Sequence, residues 1–168
     1  MKKCIVILLV LPLLCSGQEK KDFGFNFISL NPLSVYRSAK TGGLVISGDI
    51  SFRFKENVFL LSGQFGSEIV ILSDLNDSFS EVSLSWGKEF ELADWLQTDI
   101  FIGLSYFYFK TPNFTIRGHD RNATVGVPIT SKLKVMVSNN FSIGPQIRLS
   151  INSLHTIMSL GLAFQLDF

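Results

Sequence analysis

The sequence has little charge and few histidines, and each shortage excludes a class of function. Only 17% of the 168 residues are charged and the net charge is +1, so nothing in the composition indicates a nucleic-acid partner. The chain has two histidines, His119 and His155, without the neighbouring cysteines of a metal site. His155 lies near Ser153 and Ser159 but has no acid close in sequence to orient it for catalysis. We therefore expect no enzyme activity, no metal and no cofactor.

The chain also lacks a hydrophobic run long enough for a transmembrane helix. The longest apolar run, Cys4–Leu14, is shorter than the roughly 18 residues that a spanning helix needs, and no later stretch reaches that length. The run follows Lys2 and Lys3 and ends before small residues. This arrangement predicts a signal peptide over residues 1–17, cleaved after Gly17.

Cysteine is almost absent, since Cys4 and Cys15 are the only two. Both leave with the predicted signal peptide, so the exported domain, residues 18–168, is expected to have no disulfide and no thiol chemistry. Leu14-Cys15 leaves lipidation of Cys15 as an alternative to ordinary cleavage, although a leucine directly before the cysteine fits that processing poorly.

Alternating apolar residues are abundant, and the last segment shows them most clearly. One face of this segment carries Met158, Leu160, Leu162, Phe164, Leu166 and Phe168. This is the period of a strand. A final alternating strand that ends in phenylalanine resembles the C-terminal signal of bacterial outer-membrane β-barrels. The resemblance implies that the barrel-insertion machinery reads Phe164, Leu166 and Phe168 as an assembly signal.

Eight such segments follow one another from Asp22 onward. The first carries Phe23, Phe25 and Phe27 as its apolar row, and the third runs from Phe59 through Ile69 to Ile71. Six alternating positions span roughly 25 Å at the tilt of a membrane barrel, which matches its apolar band. The predicted fold is therefore all-β, an eight-stranded antiparallel transmembrane up-and-down β-barrel in the bacterial outer membrane. An even number of strands puts both termini on the periplasmic side.

The same orientation predicts which connections between segments face outward and which lie at the inner rim. Those expected to face outward are Asn31 to Gly42, Ser73 to Asp77, Lys110 to Arg121 and Asn152 to His155. Those expected at the inner rim are Lys55 to Asn57, Glu89 to Gln97 and Ser138 to Asn140. Glu89 to Gln97 carries apolar residues between acids and is interpreted as a short turn of helix on the inner leaflet. Aromatic residues gather near the predicted strand ends, as in the girdles of membrane barrels.

Two prolines, Pro128 and Pro145, interrupt predicted strands, and we expect a bulge or a broken ladder bond at each because proline donates no backbone hydrogen bond. The stretch Thr124-Val-Gly-Val-Pro-Ile-Thr-Ser-Lys-Leu-Lys, followed by Asn140-Phe-Ser-Ile-Gly-Pro, resembles the outer-membrane β-barrel domain family of the Bacteroidota, the porin-like or PorT-like group. The resemblance covers Asn122 to Phe168. It implies fold and location and brings no catalytic residue.

The face opposite the apolar rows is made mostly of small residues such as Ser47, Ser51, Ser62 and Ser83. A soluble lipocalin-like ligand-binding barrel would show the same alternation with its faces exchanged. Its solvent face would usually carry lysine and glutamate, whereas an eight-stranded lumen needs small residues. This favours the membrane barrel.

Charged residues stand among these small ones, and we interpret them as a lumenal network. Its predicted members are Asp49, Arg53, Glu68, Glu81, Lys132, Lys134 and Arg148. Charges in a narrow barrel persist only if they are paired. We expect Glu81 and Arg148 to pair and the network to plug the lumen, with charges solvated at the two mouths as the alternative.

A second group of bases lies in the long outward connection: Lys110, Arg117, His119 and Arg121. Such residues bind phosphate oxygens, so this cluster is expected to contact lipopolysaccharide as well as outer-membrane lipid, with a solvated loop that binds nothing as the alternative. An unidentified protein partner at the outward loops also remains open. The predicted function is a structural or binding role, adhesive or lipopolysaccharide-contacting. The alternative is a narrow channel for small solutes.

Overall fold

The fold was analysed in a computed structural model. It describes residues 23–39, 41–55, 57–68, 76–113 and 118–168. The predicted signal peptide, Ile69, Ile71 and Arg117 therefore lie outside the described residues. The described chain forms eight strands: β1 (Phe23–Arg37), β2 (Gly42–Phe54), β3 (Asn57–Glu68), β4 (Ser78–Ala93), β5 (Leu96–Asn113), β6 (Gly118–Ser138), β7 (Phe141–Asn152) and β8 (Ile157–Asp167).

Each strand pairs antiparallel with the next, and β8 pairs with β1 to close a barrel. The predicted eight-stranded barrel is confirmed. Both ends of the described chain lie at one rim, where the backbone N–H of Phe168 donates to the carbonyl of Asn26 at 3.0 Å. We call this the inner rim and the opposite one the outer rim. In the described part of the chain, no helix has the length and hydropathy needed to cross a membrane.

The two faces of the strands are sorted as the alternation predicts. Large apolar side chains such as Leu61, Leu84 and Leu104 are exposed on the outside, whereas small residues such as Ser51 and Ser142 are buried inside. This arrangement is the reverse of a soluble barrel, in which the outer face meets water. The apolar exterior therefore fits a hydrocarbon surrounding.

Strand β1 departs from the prediction because it contains two irregularities. An extra residue, Asn26, lies between the pairs Phe25–Phe52 and Phe27–Ser51, so the alternation shifts by one position. Phe27, predicted to face outward, is fully buried in the lumen. A second irregularity between Asn31 and Ser34 lets the strand continue to Arg37, through most of the predicted outward loop.

The β4–β5 connection is also shorter than predicted. Strand β4 runs to Ala93 and β5 starts at Leu96, with a tight turn between them, so the predicted turn of helix over Glu89 to Gln97 is wrong. The residues of this segment, in which acids alternate with apolar residues, pair as a hairpin. The pairing gives hydrogen-bond partners to backbone N–H and C=O groups that a short isolated helix would leave without partners. The predicted loop Lys110 to Arg121 is likewise mostly paired strand, for example Lys110 with Arg121.

Both prolines sit at interruptions of a ladder. The β5–β6 pairing stops at Ile102–Ile129, resumes at Ser105–Gly126 and so skips Pro128. The β6–β7 pairing in the same way skips Pro145. Neither interruption shifts the register, so the expected broken ladder is present and a bulge is not. The other edge of each proline's strand stays paired through that position, which keeps the barrel closed.

Candidate functional site

The centre of the lumen is crossed by a buried ion pair. Asp49 on β2 and Lys132 on β6 lie 2.7 Å apart between Oδ2 and Nζ, with both side chains almost fully buried. In a barrel of eight strands in sequential order, β2 and β6 are opposite each other. Ser29 of β1 completes the contact, because its Oγ accepts from Lys132 at 2.7 Å and donates to Asp49 at 2.9 Å. This pair spans the full width of the lumen.

A second buried pair lies beside the first. Arg148 on β7 approaches Glu81 on β4, with 3.3 Å between Nη2 and Oε2, and donates to Ser83 at 2.7 Å. Glu81 also accepts hydrogen bonds from Gln64 and, at 2.8 Å, from Ser150. These five residues lie on β3, β4 and β7, and β7 shares no ladder with β3 or β4, so this pair also links separate walls of the barrel.

A third group lies toward the inner rim. Lys134 contacts Asp99 at 3.0 Å and Glu89 at 3.3 Å, and Glu89 also pairs with Arg53. The ring of Phe27 lies below the lysines: Lys132 Nζ is 4.6 Å and Lys134 Nζ 5.5 Å from its centroid. The shifted alternation in β1 thus places an aromatic face where it adds a cation–π contact to two buried ammonium groups.

Together these groups form the ionic layer, which we define as Asp49, Arg53, Glu81, Glu89, Asp99, Lys132, Lys134 and Arg148. The layer contains four acids and four bases, joined by five ion pairs. Removing one partner from a buried pair typically costs about 3 to 5 kcal/mol because the other charge is stranded. Equal numbers of paired acids and bases are therefore what allows a narrow lumen to hold this many charged side chains.

Six of the seven residues predicted for the network lie in this layer. Glu68 does not: it lies at the outer end of β3, where its carboxylate accepts from the backbone N–H of Asp77 at 3.4 Å. Glu89 and Asp99 were missed. Asp99 alternates with the outward Ile100 and Ile102, so its inward direction was available from the sequence. Glu89 was missed because its segment was predicted to be a turn of helix, so its inward direction on a strand was not considered.

The outer half of the lumen is filled by rings, which the sequence reasoning did not anticipate. Tyr36, Phe79, Phe107 and Phe109 are buried there and form what we call the aromatic layer. Ring centroids lie 5.0 Å apart for Tyr36–Phe79, 5.3 Å for Phe79–Phe107 and 6.2 Å for Phe107–Phe109. His155 extends the row, 4.5 Å from Phe109. The available signal was the alternation of β5, in which Phe107 and Phe109 occupy inward positions.

Three of the four residues of the predicted basic cluster, Lys110, His119 and Arg121, lie at the outer end of the β5–β6 hairpin. Lys110 pairs in register with Arg121, two residues beyond the pair Tyr108–Ala123, and His119 follows opposite Pro112. The alternation puts Lys110 on the same outward face as the exposed Tyr106. Basic groups therefore stand directly above aromatic residues at the outer rim. In the described residues, no group of three or more acidic, histidine or cysteine side chains is arranged to hold a metal.

The predicted assembly signal lies on the outside of β8. Phe164, Leu166 and Phe168 are all exposed, and Phe168 is 75% exposed. Exposed aromatics also ring the inner rim, where the Nε1 of Trp86 donates to Asn57 at 2.8 Å. This is the location at which amphipathic rings anchor a barrel at the membrane interface.

No protein-family model matches the sequence, and no curated protein is recognisably similar to it. Solved structures do match. Neisserial surface protein A has a TM-score of 0.68 at 9% identity, over 90% of this chain and 100% of that chain. The likeness is one of fold. Ail, the attachment invasion locus protein of Yersinia pestis, gives 0.59 at 12% identity over 86% and 97% of the two chains. The N-terminal β-barrel domain of Pseudomonas aeruginosa OprF gives 0.56 at 15% identity, over 83% and 97%.

Ail has also been solved in complex with the heparin analogue sucrose octasulfate. All three proteins are closed barrels of nearly the length of the present chain. They agree with the transmembrane up-and-down fold described above.

Proposed function

We propose that the protein is a bacterial outer-membrane barrel with a closed lumen, and that it acts through its outer rim in adhesion or in contact with lipopolysaccharide. The observation that carries this proposal is the Asp49–Lys132 pair, which joins opposite walls. An eight-stranded barrel is only just wide enough for side chains to fill. We infer that the ionic layer below and the aromatic layer above leave no continuous water path, which favours the closed lumen over the channel alternative.

The outer rim supplies the binding surface. Lys110 and Arg121 lie opposite each other on β5 and β6, with His119 beyond them. Their position above an exposed tyrosine suits a phosphorylated lipid, because phosphates would lie at the level of the bases and acyl chains beside the ring. The complex of Ail with the heparin analogue sucrose octasulfate supports this proposal, because it is a polyanion bound to a protein of the same fold. We include Arg117 in this proposed cluster from its place in the sequence.

The test is binding of lipopolysaccharide to the purified barrel in micelles, wild type against Lys110→Gln/Arg121→Gln. A base near an anionic surface contributes about 1 kcal/mol, so each substitution is expected to weaken binding about fivefold. Lys55→Gln, which removes the same charge at the inner rim, is the matched control and should have no effect. Equal affinities of the double variant and the wild type would refute the proposed surface.

Location and assembly are proposed with the function. The exported chain is expected in the outer-membrane fraction, with the heat-modifiable gel migration of a barrel.

We propose that the insertion machinery reads Phe164, Leu166 and Phe168. Deleting Phe168 should lower outer-membrane levels while export across the inner membrane continues, which fractionation and immunoblotting measure. Unchanged levels would remove this role. The Bacteroidota family and the signal peptide over residues 1–17 remain predictions.

A further inference from the structure

The lipid-facing surface has a groove over strands β2 and β3. Gly48 and Gly63 are paired in register, and both occupy positions of the outward apolar rows. Their neighbours in the same row are Leu30 on β1 and Val82 on β4, both exposed. The two missing side chains lie in an apolar depression of about 730 Å³, which continues around the barrel to Phe164 and Leu166 on β8 and to Phe141 on β7.

Packing inside the barrel does not require these glycines. A Cβ on Gly63 would meet no atom within 4 Å, and one on Gly48 would make ordinary contacts at 3.7 and 3.8 Å. Other glycines of the barrel differ: at Gly144, a Cβ would lie 1.8 Å from a backbone oxygen. The missing side chains at Gly48 and Gly63 therefore shape the outer surface and serve no close approach within the wall.

The shape of the groove selects its occupant. A two-fold dimer centred here would set one depression against the other and leave both unfilled. An unfilled apolar groove loses the dispersion contacts of its lining, so it favours a thin, flexible, apolar occupant. In a bilayer, that description fits an acyl chain.

Charge at the inner rim below the groove identifies the lipid more closely. Lys55 follows the last residue of β2, and Lys88 lies on β4. Both are exposed and line a depression at the inner rim together with Arg53, Glu89 and Glu91, and among the described residues neither lysine takes part in an ion pair. Gly48 lies six residues above Phe54, the last residue of β2. At about 3.3 Å per residue and a tilt near 40°, that is roughly 15 Å, which is half the thickness of a hydrocarbon core. One acyl chain of the inner leaflet therefore reaches from the lysines to the groove.

We propose that this surface is a binding site for one anionic phospholipid of the inner leaflet. An acyl chain fills the groove at Gly48 and Gly63, and Lys55 and Lys88 bind the phosphate. The site rests on the proposed insertion of the barrel with its inner rim toward the inner leaflet. It is separate from the lipopolysaccharide surface, which lies at the other end of the molecule.

The experiment is native mass spectrometry of the folded barrel in detergent, titrated with phosphatidylglycerol or phosphatidylcholine of equal chain length. The wild type should carry one phosphatidylglycerol at concentrations where phosphatidylcholine is mostly free. Gly63→Leu, which fills the groove, should remove this adduct. Ser131→Leu places a similar side chain on the outward face of β6 and should retain it. Lys55→Gln and Lys88→Gln should each weaken it about fivefold, whereas Arg37→Gln, which removes an exposed base at the outer end of β1, should not.

Three results would overturn the site: equal binding of the two lipids by the wild type, an undiminished adduct in Gly63→Leu, or a dimer of the wild type that Gly63→Leu abolishes. The last would identify a second copy of the chain as the occupant. Heat-modifiable migration is measured on the same samples. If the migration of the protein on the gel does not change on heating, the barrel and its proposed function are contradicted. If the barrel is folded but carries no phosphatidylglycerol adduct, only this site is contradicted.

Discussion

The lumen is filled in two different ways along its length. The ionic layer holds eight charged side chains in five ion pairs, while the aromatic layer holds four rings in stacked or edge contacts. The first depends on complementarity, because each buried charge requires its partner. The aromatic layer depends on filling the available volume, because its rings stabilise the fold through van der Waals contact and buried apolar area. We propose that these two layers close one narrow tube twice, by mechanisms that fail under different substitutions.

The largest expected effect is in the ionic layer. Lys132→Met strands Asp49 at the centre of the lumen, and we expect the free energy of unfolding to fall by about 3 to 5 kcal/mol. The double variant Asp49→Leu/Lys132→Met removes both charges and should recover most of that loss. Urea unfolding in lipid vesicles measures both. A double variant as unstable as the single one would contradict the account of this layer.

In the aromatic layer, we expect Phe107→Ala to cost about 3 kcal/mol. Phe107 is fully buried between Phe79 and Phe109, so truncation leaves a cavity. No second substitution to a small residue should recover the loss, in contrast to the ion pair. Adding Phe79→Ala should enlarge the cavity and lower stability further. Recovery in that double variant, measured by the same unfolding experiment, would show that the two layers do not differ as described.

A smaller effect is expected from overpacking. Gly66 faces the lumen below Phe79, and a Cβ there would lie 2.2 Å from the ring. Gly66→Ala should therefore cost about 1 to 3 kcal/mol, because the ring must shift. Gly63→Ala, three residues earlier on the outward face, is the matched control and should be nearly neutral. Equal costs for the two would indicate that backbone entropy, and not the packed ring, determines the result.

Arg148→Ala tests whether the layers close the lumen independently. The aromatic layer lies in the outer half, so we expect Arg148→Ala to stay silent in bilayer recordings. We expect a loss of about 1 to 4 kcal/mol, less than for Lys132→Met if water that enters the space of the lost side chain solvates Glu81. Arg148→Ala/Phe107→Ala should conduct, since both closures are weakened. Steady conductance of Arg148→Ala alone would show that the rings do not seal the outer half.

The two regions also differ in how far the sequence predicts them. Alternation in eight segments was enough for the strand number and the outward face. Glu81 with Arg148 was expected from their positions, but the cross-lumen pair Asp49–Lys132 depends on strand tilt, which sets the heights of the two residues. The irregular pairing at Asn26 in β1 likewise has no clear sequence signature, which is why the inward turn of Phe27 was missed. The aromatic layer was readable in β5, where the inward phenylalanines were obscured by an equally apolar outward row.

The most direct test of the closed lumen is single-channel recording of the wild-type barrel in a planar bilayer. Insertion is verified beforehand by heat-modifiable migration of the reconstituted sample, so silence cannot reflect absent protein. With the ionic layer joining opposite walls and the aromatic layer above it, the account predicts no conductance steps above the bare bilayer. Steady, reproducible conductance steps from the wild-type protein would contradict it.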